Sequence, residues 1–174
     1  DTEGDYPMGV FWKPDGTKLY EITKANGNIY EYDVGTAWDI STASLSQSMD
    51  TEGDYPMGVF WKPDGTKLYE LDQNVDKVYE YDVDNAWDVS TASLTQSMNT
   101  EDTALSYGSL FWKSNGHKLY EIGDSPDEIQ EYDVGTAWDV STANASQTMS
   151  VESTYPRGLF WKENGSKLYE IGGG

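Results

Sequence analysis

An internal repeat of about fifty residues constrains this chain more than any other feature. Residues 1–21 recur letter for letter at 50–70. A Phe-Trp-Lys triplet recurs in four places, with its Trp residues spaced by 49, 51 and 49 positions, at Trp12, Trp61, Trp112 and Trp161. The chain therefore contains three full units, 1–49, 50–98 and 99–149, and the first part of a fourth, 150–174. The two extra residues of the third unit fall within 99–106.

The pattern inside one unit predicts four short β-strands. Each is apolar or alternating and is bounded by turn residues such as Pro14-Asp15-Gly16 and Asn26-Gly27-Asn28. In the first unit the predicted strands are Gly9–Lys13, Lys18–Ile22, Ile29–Val34 and Ala43–Met49. No stretch has the period of an amphipathic helix. Four antiparallel strands in such a unit are one propeller blade, so we expect an all-β propeller with three full blades and a half blade of two strands.

Three segments of the unit resemble a known type of repeat. They are 14–20 (PDGTKLY), 30–34 (YEYDV) and 37–42 (AWDIST), and they recur through the whole chain. They resemble the blade repeats of bacteriophage and marine bacterial β-propellers and, more loosely, those of YVTN-type surface-layer propellers. The resemblance implies the propeller fold and carries little about activity. The chain departs from that pattern in its Phe-Trp-Lys triplet and at Glu21, where Val is usual.

Composition excludes several function classes. The chain is 37% hydrophobic and 14% aromatic, which is enough to build a core. Its formal net charge of −20 argues against nucleic acids and anionic membranes as partners. There is no Cys and a single His, His117, so Cys-ligated zinc, cysteine nucleophiles and His-rich metal sites are excluded. No apolar run is long enough to cross a bilayer, so we expect no membrane insertion.

Two sets of tryptophans recur. Those of the Phe-Trp-Lys triplet lie in the first strand of each blade and are interpreted as wedges between blades. Those of the loop between the third and fourth strands are interpreted as plugs that lock the loop, with the following Asp in an Asx-turn. The alternative is one glycan-binding pair per blade, since an indole face stacks on sugars. The candidate glycan-binding residues are Trp38, Asp39, Trp87, Asp88, Trp138 and Asp139.

Acidic residues recur at three strand positions in every blade. Paired carboxylates serve glycoside hydrolysis, but a catalytic pair needs two carboxylates with different surroundings. Identical repetition therefore favours a structural or solubilising role, and no catalytic residue is assigned. The recurring acids are Glu21, Glu70, Glu121, Glu170, Glu31, Glu80, Glu131, Asp33, Asp82 and Asp133.

The basic residues are concentrated around the first hairpin of each blade. That hairpin turn and the Trp loop are expected on one face of the disc, and the acidic loops on the other. Complementary faces suggest assembly of copies by stacking. The candidate assembly residues are Lys13, Lys18, Lys62, Lys67, Lys113, Lys118, Lys162 and Lys167.

Three further candidates are weaker. Asp72, Asn74 and Asp76 place oxygens at alternate positions, which suggests calcium, but the Gly and Glu of an EF-hand loop are missing. Asn144 and Asn164 begin glycosylation tripeptides. His117 replaces the Thr or Ser of a hairpin turn and is expected to be an exposed substitution. No other cofactor or metal is predicted.

The sequence therefore favours a non-enzymatic extracellular or virion structural protein that assembles with copies of itself into a multimer or filament. The half blade supports this, because an unpaired strand edge is a template for another chain. For the half blade itself, a fragment of a longer propeller ranks first among the explanations, a multichain assembly second and a stable lone monomer last. The alternative function is a multivalent lectin-like propeller that binds surface glycans. An enzyme ranks third, and only an acid-type glycoside hydrolase or lyase remains open.

Overall fold

The computed structural model describes residues 4–101, 107–124 and 126–173. These residues form fourteen strands and three short 3-10 turns. The strands are β1 (Pro7–Trp12), β2 (Lys18–Thr23), β3 (Asn28–Val34), β4 (Ala43–Asp50), β5 (Pro56–Trp61), β6 (Lys67–Asp72), β7 (Lys77–Val83), β8 (Ala92–Asn99), β9 (Gly108–Trp112), β10 (Lys118–Asp124), β11 (Asp127–Val134), β12 (Ala143–Ser150), β13 (Tyr155–Trp161) and β14 (Leu168–Gly173). The turns are Ile40–Thr42, Val89–Thr91 and Val140–Thr142.

The strands form three four-stranded antiparallel sheets and one two-stranded sheet. The sheet orders are β1-β2-β3-β4, β5-β6-β7-β8, β9-β10-β11-β12 and β13-β14. Each sheet is one blade, and the β13-β14 hairpin is the half blade. The predicted all-β propeller architecture, with three full blades and a partial fourth, is confirmed. Of the segment 99–106 that was predicted to hold the two extra residues, 102–106 lie outside the described residues.

The first strands of neighbouring blades contact one another along the inner side of the assembly. One phenylalanine from each of these strands forms an edge-to-face row, a favourable arrangement of aromatic rings. The ring centroids are 5.3, 5.6 and 5.8 Å apart along the series Phe11, Phe60, Phe111 and Phe160. Three Trp residues of the same strands, Trp61, Trp112 and Trp161, pack against a tyrosine of the preceding blade, as predicted. Trp12 instead packs against Trp38 of its own blade.

The Trp loop folds back on the hairpin turn of its own blade. In blade 1 the Trp38 amide donates to the Gly16 carbonyl at 3.0 Å. Gly16 has a φ of +74°, and a Cβ there would lie 2.5 Å from the Trp38 ring. Only glycine satisfies both conditions. The hairpin turn and the Trp loop therefore share one face, which we call the lysine face. The opposite face carries the segments that lead into each blade and the turns between the second and third strands of each blade. We call it the acidic face.

Candidate functional site

The contact between blades 1 and 2 is built on three aromatic rings. The Tyr20 ring of blade 1 lies 4.7 Å from the Trp61 ring of blade 2, and Trp61 lies 5.3 Å from Trp87. The Tyr20 hydroxyl donates to the Trp87 carbonyl at 2.7 Å. Tyr69, Trp112 and Trp138 repeat this arrangement between blades 2 and 3. The wedge and plug interpretations of the two tryptophan sets are confirmed here.

A polar contact surrounds this aromatic group. Glu31 of blade 1 is fully buried and accepts a hydrogen bond from the Val89 amide of blade 2 at 3.0 Å. Its other oxygen pairs with Lys18 at 2.5 Å. The Gln47 amide donates to Asp88 at 2.6 Å. Glu80, Gln96 and Asp139 repeat the pattern at the next interface. Glu31 and Glu80 are thus structural and act inside the protein, whereas the aspartates two residues further on, Asp33 and Asp82, are exposed.

A second buried carboxylate holds the segment that leads into its own blade. Glu70 accepts from the Gly53 amide at 3.1 Å and from the Tyr81 hydroxyl at 2.5 Å. The same hydroxyl accepts from the Glu52 amide at 2.7 Å. Burial raises the pKa of Glu70 to about 8. A perturbed carboxyl is a functional candidate in general, but here both of its oxygens serve the fold.

The candidate glycan-binding tryptophans differ in how exposed their rings are. Trp87 and Trp138 are 9% and 8% exposed and lie between blades, so neither offers a free ring face. Trp38 is 57% exposed. Each following Asp forms the predicted Asx-turn, in which its carboxylate accepts from the amide and hydroxyl of the Ser two residues on. Those bonds lower the pKa of Asp39. Glycan binding at Trp38 and Asp39 stays a prediction.

Within the part of the chain that the structure describes, five of the eight candidate assembly lysines form ion pairs in their own blade. Lys13 and Lys62 each lie 2.8 Å from the turn aspartate, Asp15 or Asp64. Lys18, Lys67 and Lys118 each contact a Glu and an Asp of the adjacent strand. Most of the lysine charge is thus neutralised locally. A role in assembly for these lysines, or for Lys113, Lys162 and Lys167, stays a prediction.

The remaining candidates are placed as follows. Asp72 is fully buried, and its carboxylate accepts from the amides of Asn74, Val75 and Tyr55. Within the described residues, no cluster of three or more His, Cys, Asp or Glu could hold a metal ion. Calcium binding at Asp72, Asn74 and Asp76 stays a prediction, as does glycosylation of the exposed Asn144 and Asn164. His117 is exposed in its turn, as predicted.

One pocket on the acidic face gathers groups with different chemistry. It is lined by Tyr6, Lys24, Ala25, Asp54 and Tyr55 and has a volume of about 570 Å³. Lys24 Nζ lies 5.1 Å from the centre of the Tyr55 ring and donates to Gln73 at 2.7 Å. The pocket thus joins a cation and a carboxylate to two exposed aromatic rings. The sequence did not indicate this pocket. Lys24 has no counterpart in the other units, and the other lining residues lie in two separate loops.

A second cation lies against a tyrosine on the same face. The Arg157 guanidinium is 4.2 Å from the centre of the Tyr107 ring. Arg157 is the only Arg of the chain and occupies the position of Met8 and Met57 in the first two units. A residue type that occurs once in a repetitive chain is the sequence feature that could have indicated this contact.

Comparisons with known proteins support the fold. A scan against models of protein families finds no match, and a search of curated proteins finds no relative. Many solved structures are similar to the chain, and three of them illustrate the match. A "putative 6-phosphogluconolactonase" from Bacteroides uniformis has a TM-score of 0.71 and 17% identity, over 94% of this chain and 46% of that one. The periplasmic gluconolactonase of Pseudomonas aeruginosa has a TM-score of 0.65 and 19% identity, over 92% of this chain and 45% of that one. The β-propeller domain of Cps50 (Swd1) from Myceliophteria thermophila has a TM-score of 0.65 and 12% identity, over 95% and 50%.

The chain therefore spans about half the length of these structures. At such identities the similarity shows the propeller fold. It also corrects the functional prediction. We expected a non-enzymatic structural protein that assembles into a filament, and the structures most similar to the chain include proteins named as lactonases, which are enzymes. Among the described residues, no helix is long and apolar enough to cross a membrane.

Proposed function

We propose that this chain is part of a propeller hydrolase that opens the lactone ring of an uncharged sugar-acid lactone. The observation that carries the proposal is the acidic-face pocket, where Lys24 and Asp54 line one cavity between two tyrosine rings. The similarity to proteins named gluconolactonase and 6-phosphogluconolactonase supports the same class of reaction.

The residues of the pocket suit the steps of ester hydrolysis. An ammonium group such as that of Lys24 polarises a lactone carbonyl and stabilises the oxyanion that forms on it. A carboxylate such as that of Asp54 takes a proton from the attacking water. Water then adds to the carbonyl carbon, the ring C–O bond breaks, and the proton passes to the leaving ring oxygen to give the open hydroxy acid. The faces of Tyr6 and Tyr55 offer apolar surface to the C–H groups of a sugar ring.

The charge of the protein favours a neutral substrate. A net charge of −20 repels a phosphorylated lactone at long range. We therefore propose an unphosphorylated lactone, in contrast to the phosphorylated compound in the name of the Bacteroides protein. A location outside the cytoplasm belongs to the same proposal, supported by the strong acidity and by the periplasmic gluconolactonase among the similar structures. We also propose that the chain is related to phage-type or YVTN-type propellers. The blade motifs alone support this relationship.

The test is the hydrolysis of glucono-δ-lactone, followed in a pH-stat with the spontaneous rate subtracted. We expect catalysis by the chain and a loss of about 100-fold or more in kcat/KM for Lys24→Ala and for Asp54→Asn, as for removal of an electrostatic or acid–base group. Lys77→Ala is the matched control, because Lys77 lies at 6.0 Å from a tyrosine ring on the same face but outside the pocket. A rate equal to the spontaneous one, or an equal loss in the Lys77 variant, would contradict the proposal.

A further inference from the structure

A groove lies between blade 3 and the half blade. It has a volume of about 820 Å³, and its lining includes Tyr120, Glu131, Gln147, Trp161 and Tyr169. Three of these residues, Tyr120, Glu131 and Gln147, are the counterparts of Tyr20, Glu31 and Gln47 in blade 1. At the two complete interfaces, this set of three binds a single segment of the next blade.

The bound segment is the Trp loop. At the first interface Tyr20 donates to the Trp87 carbonyl, Glu31 accepts from the Val89 amide, and Gln47 donates to the Asp88 carboxylate. The same three bonds join blade 2 to Trp138, Val140 and Asp139. Two independent copies of the interface therefore define what the set recognises: a Trp carbonyl, an Asp carboxylate and the amide of the residue that follows it.

In the groove, Glu131 and Gln147 keep the bond that Glu31 and Gln47 make with each other at a complete interface. The Glu131 side chain is 12% exposed, whereas those of Glu31 and Glu80 are fully buried. Gln147 donates to Glu131 at 3.1 Å. The Tyr120 hydroxyl interacts with Glu131, which contributes to the raised pKa of Tyr120, although burial is its main cause. The polar groups that bind a Trp loop elsewhere are thus assembled beside an open cavity.

The strand edge beside the groove belongs to β14, which corresponds to β2 of blade 1. In blade 1, β2 pairs with β3 so that Leu19 faces Tyr32 and Ile22 faces Ile29. Among the strands that the structure describes, the corresponding strand of the half blade, β14, pairs with β13 alone. Its other edge presents the Leu168 to Ile171 stretch, which repeats the sequence Leu-Tyr-Glu-Ile of β2. Such an edge accepts a further antiparallel strand.

We propose that the groove and the free edge of β14 together bind one outer half-blade segment with the chemistry of residues 28–50. Its strand, in which apolar residues and acids alternate, would pair with β14. Its Trp-Asp-Ile-Ser-Thr turn would enter the groove and meet Tyr120, Glu131 and Gln147. The continuity with two established interfaces identifies the occupant. This proposal is independent of the lactonase proposal, because the groove and the acidic-face pocket share no residue.

The test uses a synthetic peptide of residues 28–50 with an amino-terminal fluorophore, titrated with the chain and followed by fluorescence anisotropy. We expect saturable binding. The peptide with Trp38→Ala should bind about thirty-fold more weakly, as for an interface hot spot. The peptide with Asp39→Ala should bind about tenfold more weakly, because it lacks the carboxylate that accepts from the Gln amide at both complete interfaces.

Variants of the chain locate the site. Gln147→Ala should weaken binding of the unchanged peptide about tenfold. Gln96→Ala is the matched control, because Gln96 has the same role at an interface that is already filled, and it should leave peptide affinity unchanged. Circular dichroism establishes that both variants are folded. The absence of saturable binding, equal affinity for a scrambled peptide, or equal effects of the two variants would overturn the proposal.

Discussion

The interface between blades 1 and 2 and the interface between blade 3 and the half blade have the same residues on one side and different surroundings. Tyr20, at the first, is fully buried and donates to a main-chain carbonyl of blade 2. Tyr120, at the second, borders an open groove and interacts with Glu131 of its own blade. The comparison teaches that a blade of this kind is completed by its neighbour, because neither its aromatic nor its polar contacts are satisfied within one sheet.

The largest expected effect comes from the two environments of the loop tryptophan. Trp87→Ala should lower the free energy of unfolding by about 3–5 kcal/mol, because it opens a cavity in the core between blades. Trp38→Ala should cost about 1 kcal/mol, because Trp38 is 57% exposed and its ring packs against Trp12 of its own blade. Urea denaturation followed by circular dichroism measures both. Equal costs would mean that the neighbouring blade contributes nothing to the burial of Trp87.

A second effect concerns pH and the buried carboxyl of blade 2. The pKa of Glu70 is raised to about 8 in the folded chain, mainly by burial, from its ordinary value of 4.5. Between these two values the unfolded chain has released this proton and the folded chain has kept it. Stability from this group is therefore complete below about pH 4.5, falls as the pH rises, and levels off above about pH 8.

Urea midpoints measured from pH 5 to 9 test this sign. The fall should be smaller in Glu70→Gln, which keeps the shape of the side chain and loses the titration. Glu163→Gln, at an exposed position, should leave the profile of the unchanged chain intact. A Glu70→Gln profile that runs parallel to that of the unchanged chain would refute the assignment.

The polar contact between blades gives a smaller difference. Glu80→Gln should cost about 2 kcal/mol, because Glu80 is a fully buried carboxylate bonded to Lys67 and to the Val140 amide. Glu131→Gln should cost about half a kcal/mol, because the bond from a neighbouring blade has no counterpart among the described residues there. Thermal and urea unfolding of the two variants compare the closed and open interfaces directly. Addition of the 28–50 peptide should bring the Glu131 variant closer to the Glu80 variant.

The smallest effect is expected at the first hairpin turns of blades 1 and 2, where the two blades have the same ion pair. Lys62→Ala and Lys13→Ala each remove a 2.8 Å pair with a half-exposed turn aspartate. Each should cost less than about 1 kcal/mol, and the two costs should agree. A clear difference in urea midpoint would show that neighbouring blades influence the hairpin turns.

Much of the fold was predictable because each unit carries its own local signals. The Pro-Asp-Gly turn, the alternating third strand and the Asx-turn of Asp39 depend on residues close in sequence. The burial of Glu31 and Glu80 was not predictable in this way, because alternating acids on a strand indicate a solvent face. Their partners, the Val89 and Val140 amides, are 58 and 60 residues away in sequence. The acidic-face pocket was missed for the same reason, since Tyr6, Lys24 and Tyr55 meet only after blades 1 and 2 are packed together.

Hydrogen exchange of the chain, read by mass spectrometry, tests most directly the claim that neighbours complete each blade. Exchange rates report local opening free energies. The account predicts that the amides of β6 and β7, in the blade packed on both sides, exchange slowest, and that those of β14 exchange fastest. It also predicts that the 28–50 peptide slows exchange in β14 and leaves β6 unchanged. Equal protection of β6 and β14 without the peptide would contradict the account.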